Sequence, residues 1–228
     1  MEKLAIEGGL PVRKTYLPYG LHSITREDIN AVVKVLESNW ITQGPNIEDF
    51  ENKLQEKIGC KSVKAVSSGT AALHLGVLAA GIKQGDEVIT TPFTFAASAN
   101  AVLYAGATPV FADINEKTLN IDPNAVASKI TKKTKAILAV HFAGLPCDLK
   151  ELREIAEGHG LLLIEDAAHA LGAEYRGKCI GQDSFLATLS FHPVKHITTG
   201  EGGAVCTNDS ALGERIAVLR THGIRRSA

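Results

Sequence analysis

Lys195 stands in the stretch Ser190-Phe191-His192-Pro193-Val194-Lys195-His196-Ile197-Thr198-Thr199-Gly200-Glu201-Gly202-Gly203, a loop bounded by one proline and three glycines. A lysine can do covalent chemistry when its amine loses its charge, which takes partial burial beside cationic or apolar neighbours. A lone lysine is more often a solvated surface group, so this reading needs companions, and two other segments supply them. Ser67-Ser68-Gly69-Thr70-Ala71 is a small turn running into a helix. Free N–H groups and the positive dipole end at a helix start hold an anion, a phosphate above all, although the same pattern also serves as a plain helix cap. It is neither a Walker A loop nor G-x-G-x-x-G, so a nucleoside triphosphate or a dinucleotide gains no support. Glu165-Asp166-Ala167-Ala168-His169 places Asp166 at the end of an apolar run, where a carboxylate either meets a ligand or caps the next turn. His192 and His196 are four apart and raise a metal reading. Pro193 breaks any helix between them and no acidic third ligand is near, so that reading is set aside.

The elements that must position these groups follow from hydrophobic period. Thr25 reads as an N-cap with Glu27 and Asp28 in the first turn, and Ile29, Val32, Val33 and Leu36 follow at helical spacing. Gly44-Pro45 breaks the chain, and a second amphipathic helix begins near Asn46 with Phe50, Leu54 and Ile58 on one face. Residues 1–60 are therefore expected to be an N-terminal helical segment. From there the pattern alternates. Strands are expected at 63–67, 87–91, 108–113, 135–140, 161–165, 186–191 and 203–207, and helices at 70–81, 95–106, 123–130, 148–159 and 209–222. The polar stretch 173–183 reads as a hairpin. Alternating β and α implies an α/β domain over 61–228 with a mainly parallel sheet, and runs such as Leu161–Ile164 fit strands covered on both faces. Ligands of such sheets bind beyond the strand C-termini, where all three segments lie.

Composition narrows the class. Apolar residues make up 45% and charged residues 21%, as in ordinary globular domains. A net charge of −1 gives no electrostatic reason to expect nucleic acid or an anionic membrane as partner. The apolar runs are too short to span a bilayer, and the N-terminus lacks the apolar core of a signal peptide. Four widely spaced cysteines, Cys60, Cys147, Cys179 and Cys206, form no C-x-x-C pair, which fits reduced thiols in a cytoplasmic protein.

An anion cradle, a carboxylate and a lysine, each at a strand end, are together the groups that pyridoxal 5'-phosphate (PLP) requires: the carboxylate keeps the pyridine nitrogen protonated and the ring a better electron sink. Four segments carry a resemblance. Ser-Gly-Thr-Ala-Ala-Leu, Gly85-Asp86-Glu87-Val88-Ile89, Glu-Asp-Ala-Ala-His-Ala-Leu-Gly and above all the Lys195 stretch resemble the DegT/DnrJ/StrS family of PLP-dependent sugar aminotransferases, from about Leu17 onward. The resemblance implies a three-layer α/β/α large domain of the aspartate-aminotransferase fold, followed by a smaller C-terminal domain that would begin where this chain ends, at 223–228. It implies that Lys195 holds PLP covalently and that Asp166 pairs with the pyridinium nitrogen. His169 would lie close to the ring, with Gly69, Thr70, Ala71 and Ser190 at the phosphate. Phe95 would stack on the ring, its alternative being a core aromatic like the nearby Phe93. The implied reaction moves an amino group from glutamate to a nucleotide-linked keto-sugar, a 4-keto-6-deoxy hexose, in amino-sugar biosynthesis for cell-surface polysaccharide, flagellin glycans or antibiotics. The implied assembly is a homodimer. Two rival readings accompany it: a sugar dehydratase of the same family, in which a histidine replaces the lysine, and a non-enzymatic regulatory remnant.

Overall fold

The computed structural model describes residues 3–224. After a short 3-10 turn at Ala5–Glu7, the chain forms helices α1 (Arg26–Leu36) and α2 (Pro45–Ile58). Strand β1 (Ser62–Val66), helix α3 (Gly69–Ala79), β2 (Glu87–Thr90), α4 (Ala97–Tyr104), β3 (Thr108–Phe111), α5 (Pro123–Ser128) and β4 (Thr134–Val140) follow. Then come α6 (Leu149–His159), β5 (Leu162–Asp166), the hairpin β6 (Glu174–Tyr175) and β7 (Lys178–Cys179), β8 (Leu186–Ser190), β9 (Gly203–Thr207) and α7 (Ser210–Leu219). The expected helix ends differ from the observed ones by at most three residues, as at the end of 209–222, because fraying turns carry the same residue types as the turns they extend.

Seven strands form one sheet in the order β1-β9-β8-β5-β4-β2-β3. β9 runs antiparallel to both of its neighbours, and the other neighbouring pairs are parallel. The expected mainly parallel three-layer sheet is what forms. The strands are apolar on both faces because both are covered. In β4, Ala136, Leu138 and Val140 join the cluster under α3, α4 and α7, and Ile137 and Ala139 join the one under α2, α5 and α6.

Local signals set the helix ends. Thr25 and Asp28 form a capping box, with the Thr25 N–H donating to Asp28 at 2.8 Å and the Asp28 N–H donating to Thr25 Oγ1 at 3.3 Å. Pro45 opens α2 at a position where its missing N–H costs nothing. The hairpin turns at Arg176 and Gly177, both with positive φ as a two-residue turn of this hand demands. α2 seats Leu54 and Ile58 in the core and sets Phe50 edge-on to Phe191 with centroids 5.3 Å apart, whereas α1 buries none of its residues. Among the described residues no helix is long and apolar enough to cross a membrane.

Candidate active site

The site grows out of three chain segments that the sheet order brings side by side. β1 delivers Ser68 to the start of α3, where its side chain accepts the Ala71 N–H at 3.1 Å. Ala71 is thereby satisfied, and the Gly69 and Thr70 N–H groups are left with no acceptor among the described residues. A Cβ on Gly69 would come within 2.8 Å of the Ser190 side chain, so glycine lets the turn sit against the end of β8. A Cβ on Gly203 would fall 2.5 Å from the Ser68 carbonyl group, which is backbone and cannot swing away. Two of the glycines noted in sequence are thus explained by contact: they let β8 and β9 press against the helix start.

The Lys195 loop is fastened at its base. The Phe191 N–H donates to the Gly202 carbonyl at 2.9 Å, and the Phe191 carbonyl accepts the Thr199 N–H at 3.1 Å and the Thr198 hydroxyl at 3.0 Å. Phe191 itself is buried against Phe50 of α2. The loop that carries the lysine is therefore anchored in the core through one aromatic residue. Its tip puts Lys195 Nζ 2.6 Å from His169 Nε2. Burial lowers the Lys195 ammonium below its ordinary value, outweighing the opposing pull of the Asp166 carboxylate. Burial, then the charge of Lys195, also lowers His169, with Asp166 pulling the other way. Burial thus disfavours the charge on both the amine and the imidazole, and the imidazole is a hydrogen-bond partner that does not hold the amine as a salt.

Asp166 ends β5 and is buried. Its Oδ1 accepts the Ala168 N–H at 3.1 Å and its Oδ2 accepts the Ser98 hydroxyl at 2.7 Å. These groups face a cavity of about 330 Å³ whose lining includes Gly69, Thr70, Phe95, Asp166, His169 and Lys195. Ser190 also lines it, so the site residues expected from sequence, Ala71 apart, converge on one cavity. Phe95 is not a core aromatic: it is 77% exposed on the rim, while Phe93 packs on Phe142 with centroids 4.5 Å apart. A larger open groove of about 650 Å³ runs past α2 and α7, and three of its charged residues pair with one another. There Glu51 accepts from the Ala65 N–H at 2.9 Å and pairs with Lys64 at 3.2 Å and with Arg220.

Sequence reasoning missed two polar arrangements behind the cavity. Ser98 hides in the run Ala97-Ser98-Ala99-Asn100-Ala101-Val102, where the only signal is a hydroxyl at helical spacing among buried small residues. The other is His141, fully buried on the cavity wall. Its Nδ1 accepts the Cys147 N–H at 3.1 Å, so Nε2 carries the proton that reaches Glu165 Oε2 at 3.1 Å. No spacing rule links residues 141, 147 and 165.

The family model described as the DegT/DnrJ/EryC1/StrS aminotransferase family matches residues 22–228. The spore coat polysaccharide biosynthesis protein SpsC of Bacillus subtilis is 45% identical over 95% of this chain and 56% of its own length. The crystal structure of DesI, solved in the presence of its TDP-sugar product, superposes with a TM-score of 0.91 at 38% identity, over 96% of this chain and 56% of that one. The sugar aminotransferase Spr1654 of Streptococcus pneumoniae, described as putative and solved in PLP and PMP forms, gives a TM-score of 0.87 at 32% identity over 91% of this chain and 58% of that one. The chain spans 56% of the length of the curated relatives it matches. With the fold, the strand-end lysine and the strand-end carboxylate in place, the chain belongs to the DegT/DnrJ/EryC1/StrS aminotransferase family.

Proposed function

We propose that this chain binds PLP and forms the cofactor-holding part of an aminotransferase that moves an amino group from glutamate to a nucleotide-linked keto-sugar, a 4-keto-6-deoxy hexose. The observation that carries the proposal is Lys195 held 2.6 Å from His169 with its charge disfavoured by burial, in a cavity that also holds Asp166 and the open start of α3. These residues fit the cofactor. The Gly69 and Thr70 N–H groups and the Ser190 hydroxyl would take its phosphate, Asp166 its ring nitrogen, Phe95 a ring face, and Lys195 its aldehyde. Bound PLP supplies an aldehyde that captures amines and a cationic ring that draws electrons from the bond broken at the donor carbon.

The chain's own residues then divide the work. Lys195 would hold the cofactor through its amine and, when free, would take the proton from the donor carbon and return one. His169 keeps the freed Nζ aimed into the cavity without adding a second positive charge. Asp166 fixes a negative charge where the ring nitrogen would lie, which stabilises the positive ring throughout proton transfer. The TDP-sugar product of DesI and the polysaccharide role of SpsC support the choice of acceptor class. The assembly we propose is a homodimer in the cytoplasm.

The test uses full-length protein loaded with PLP. Glutamate alone should bleach the visible band of the bound cofactor and release one equivalent of 2-oxoglutarate. A nucleotide-linked 4-keto-6-deoxy sugar should then restore the band as amino-sugar forms, and a 3-keto sugar should not. Failure of glutamate to yield 2-oxoglutarate would reject the donor assignment, and turnover of the 3-keto sugar alone would reject the acceptor.

A further inference from the structure

We infer that Ser98, backed by Thr94, is a positioning residue that locks the Asp166 carboxylate for the cofactor's ring nitrogen and so determines how strongly the chain prefers a ring that carries that nitrogen. The inference rests on the proposal that PLP is the bound group.

Ser98 is completely buried on α4, among Ala97, Ala101 and Val102. A hydroxyl on such a face has to find an acceptor or bear the cost of desolvation. It finds Asp166 Oδ2 at 2.7 Å, on a different element and 68 residues away, whereas its contact to the Phe95 carbonyl within its own turn is 3.4 Å. A carboxylate only accepts, so Ser98 is the donor and its single hydrogen is spent on Asp166. Thr94 Oγ1 lies 2.8 Å from Ser98 Oγ, and Thr94 must therefore donate to Ser98. The hydrogens run one way, from Thr94 to Ser98 to Asp166. Each bond polarises the next, so the last one onto the carboxylate is strengthened.

Asp166 has one such partner on each oxygen: the Ala168 N–H on Oδ1 and Ser98 on Oδ2. The terminal torsion of an aspartate is broad, and two donors on opposite oxygens remove that freedom. With Ser98 gone, only the Ala168 contact at 3.1 Å is left to hold the carboxylate plane. Thr94 stands on the cavity wall beside Phe95, so the relay begins where the proposed ring would stack and ends where its nitrogen would lie.

The experiment compares dissociation constants for PLP and for a carbon analogue with the same aldehyde, hydroxyl and phosphate but CH in place of the ring nitrogen. The parent protein should prefer PLP. In Ser98→Ala, affinity for PLP should fall by about tenfold while affinity for the analogue changes less than about twofold. Thr94→Val should show the same selective loss at smaller size, and Ser98→Thr, which keeps the hydroxyl, should restore the preference. Equal weakening of both ligands in Ser98→Ala would show a merely structural role and overturn the inference, as would unchanged affinity for both. A parent protein that fails to bind PLP, or fails to prefer it over the analogue, would instead sink the cofactor proposal on which the inference stands.

Discussion

Around the cavity, distant segments hold one another: Ser98 of α4 bonds Asp166, His169 beyond the end of β5 meets Lys195, and the start of α3 packs against Ser190. α1 is the opposite case. Its bonds are local, with the Thr25–Asp28 box at one end and Ser38 reaching back to the Val35 carbonyl at 2.7 Å near the other. Its apolar face is exposed, with Val32 at 59% and Leu36 at 67%. One region is fixed by tertiary contacts that no short window of sequence contains. The other is fixed by capping chemistry that a four-residue window displays in full. The same chain therefore contains a site whose geometry depends on the whole sheet and a helix whose existence depends on almost none of it.

That contrast predicts a graded series. Lys195→Ala removes the proposed nucleophile and base together, and amino transfer by the full-length protein should fall by roughly a thousandfold or more in single-turnover assays. Residual activity near the parent value would place the chemistry on another lysine. Leu138→Ala opens a hole in a fully buried site of β4 and should cost about 2–5 kcal/mol in urea titrations, whereas Val32→Ser on α1 should stay within about 0.5 kcal/mol. If the two costs came out alike, the claim that α1 is unsupported by this chain's packing would fail.

Glycines sharpen the same line. Gly203→Ala drives a methyl into the Ser68 backbone and should cost about 1–3 kcal/mol, with weaker PLP binding because the start of α3 must shift. Gly158 sits on α6 with nothing within 4 Å of an added Cβ, and Gly158→Ala should stabilise by about 0.4–1 kcal/mol. Thermal melts of the two variants should therefore move in opposite directions.

The smallest effect is a pH slope. Lys195 is lowered in the folded state from 10.5, so between its lowered value and 10.5 the unfolded chain binds more protons at this site than the folded one. Stability from this group thus rises as pH rises through that window, and Lys195→Met should flatten the slope. Urea midpoints measured across alkaline pH would show it. An identical slope in the variant would mean that the lysine is not desolvated.

The strands were legible because both faces are covered: Leu161–Ile164 has no polar residue to spoil the pattern, and β5 forms at Leu162–Asp166. Lys195, Asp166 and the Ser68 turn were legible because parallel strands place their ends at one edge. The reversed direction of β9 was not, since an apolar five-residue strand reads the same both ways. Phe93 and Phe95 could not be told apart in sequence, and only the packing of Phe93 on Phe142 leaves Phe95 at the rim. Ser98 escaped because its meaning depends on a carboxylate 68 residues away.

The account stands or falls on which lysine carries the cofactor. Full-length protein incubated with PLP, reduced with borohydride and digested should yield a single pyridoxyl-labelled peptide, the one that spans Lys195. Label on any other lysine, or spread over several surface lysines in proportion to their exposure, would contradict it.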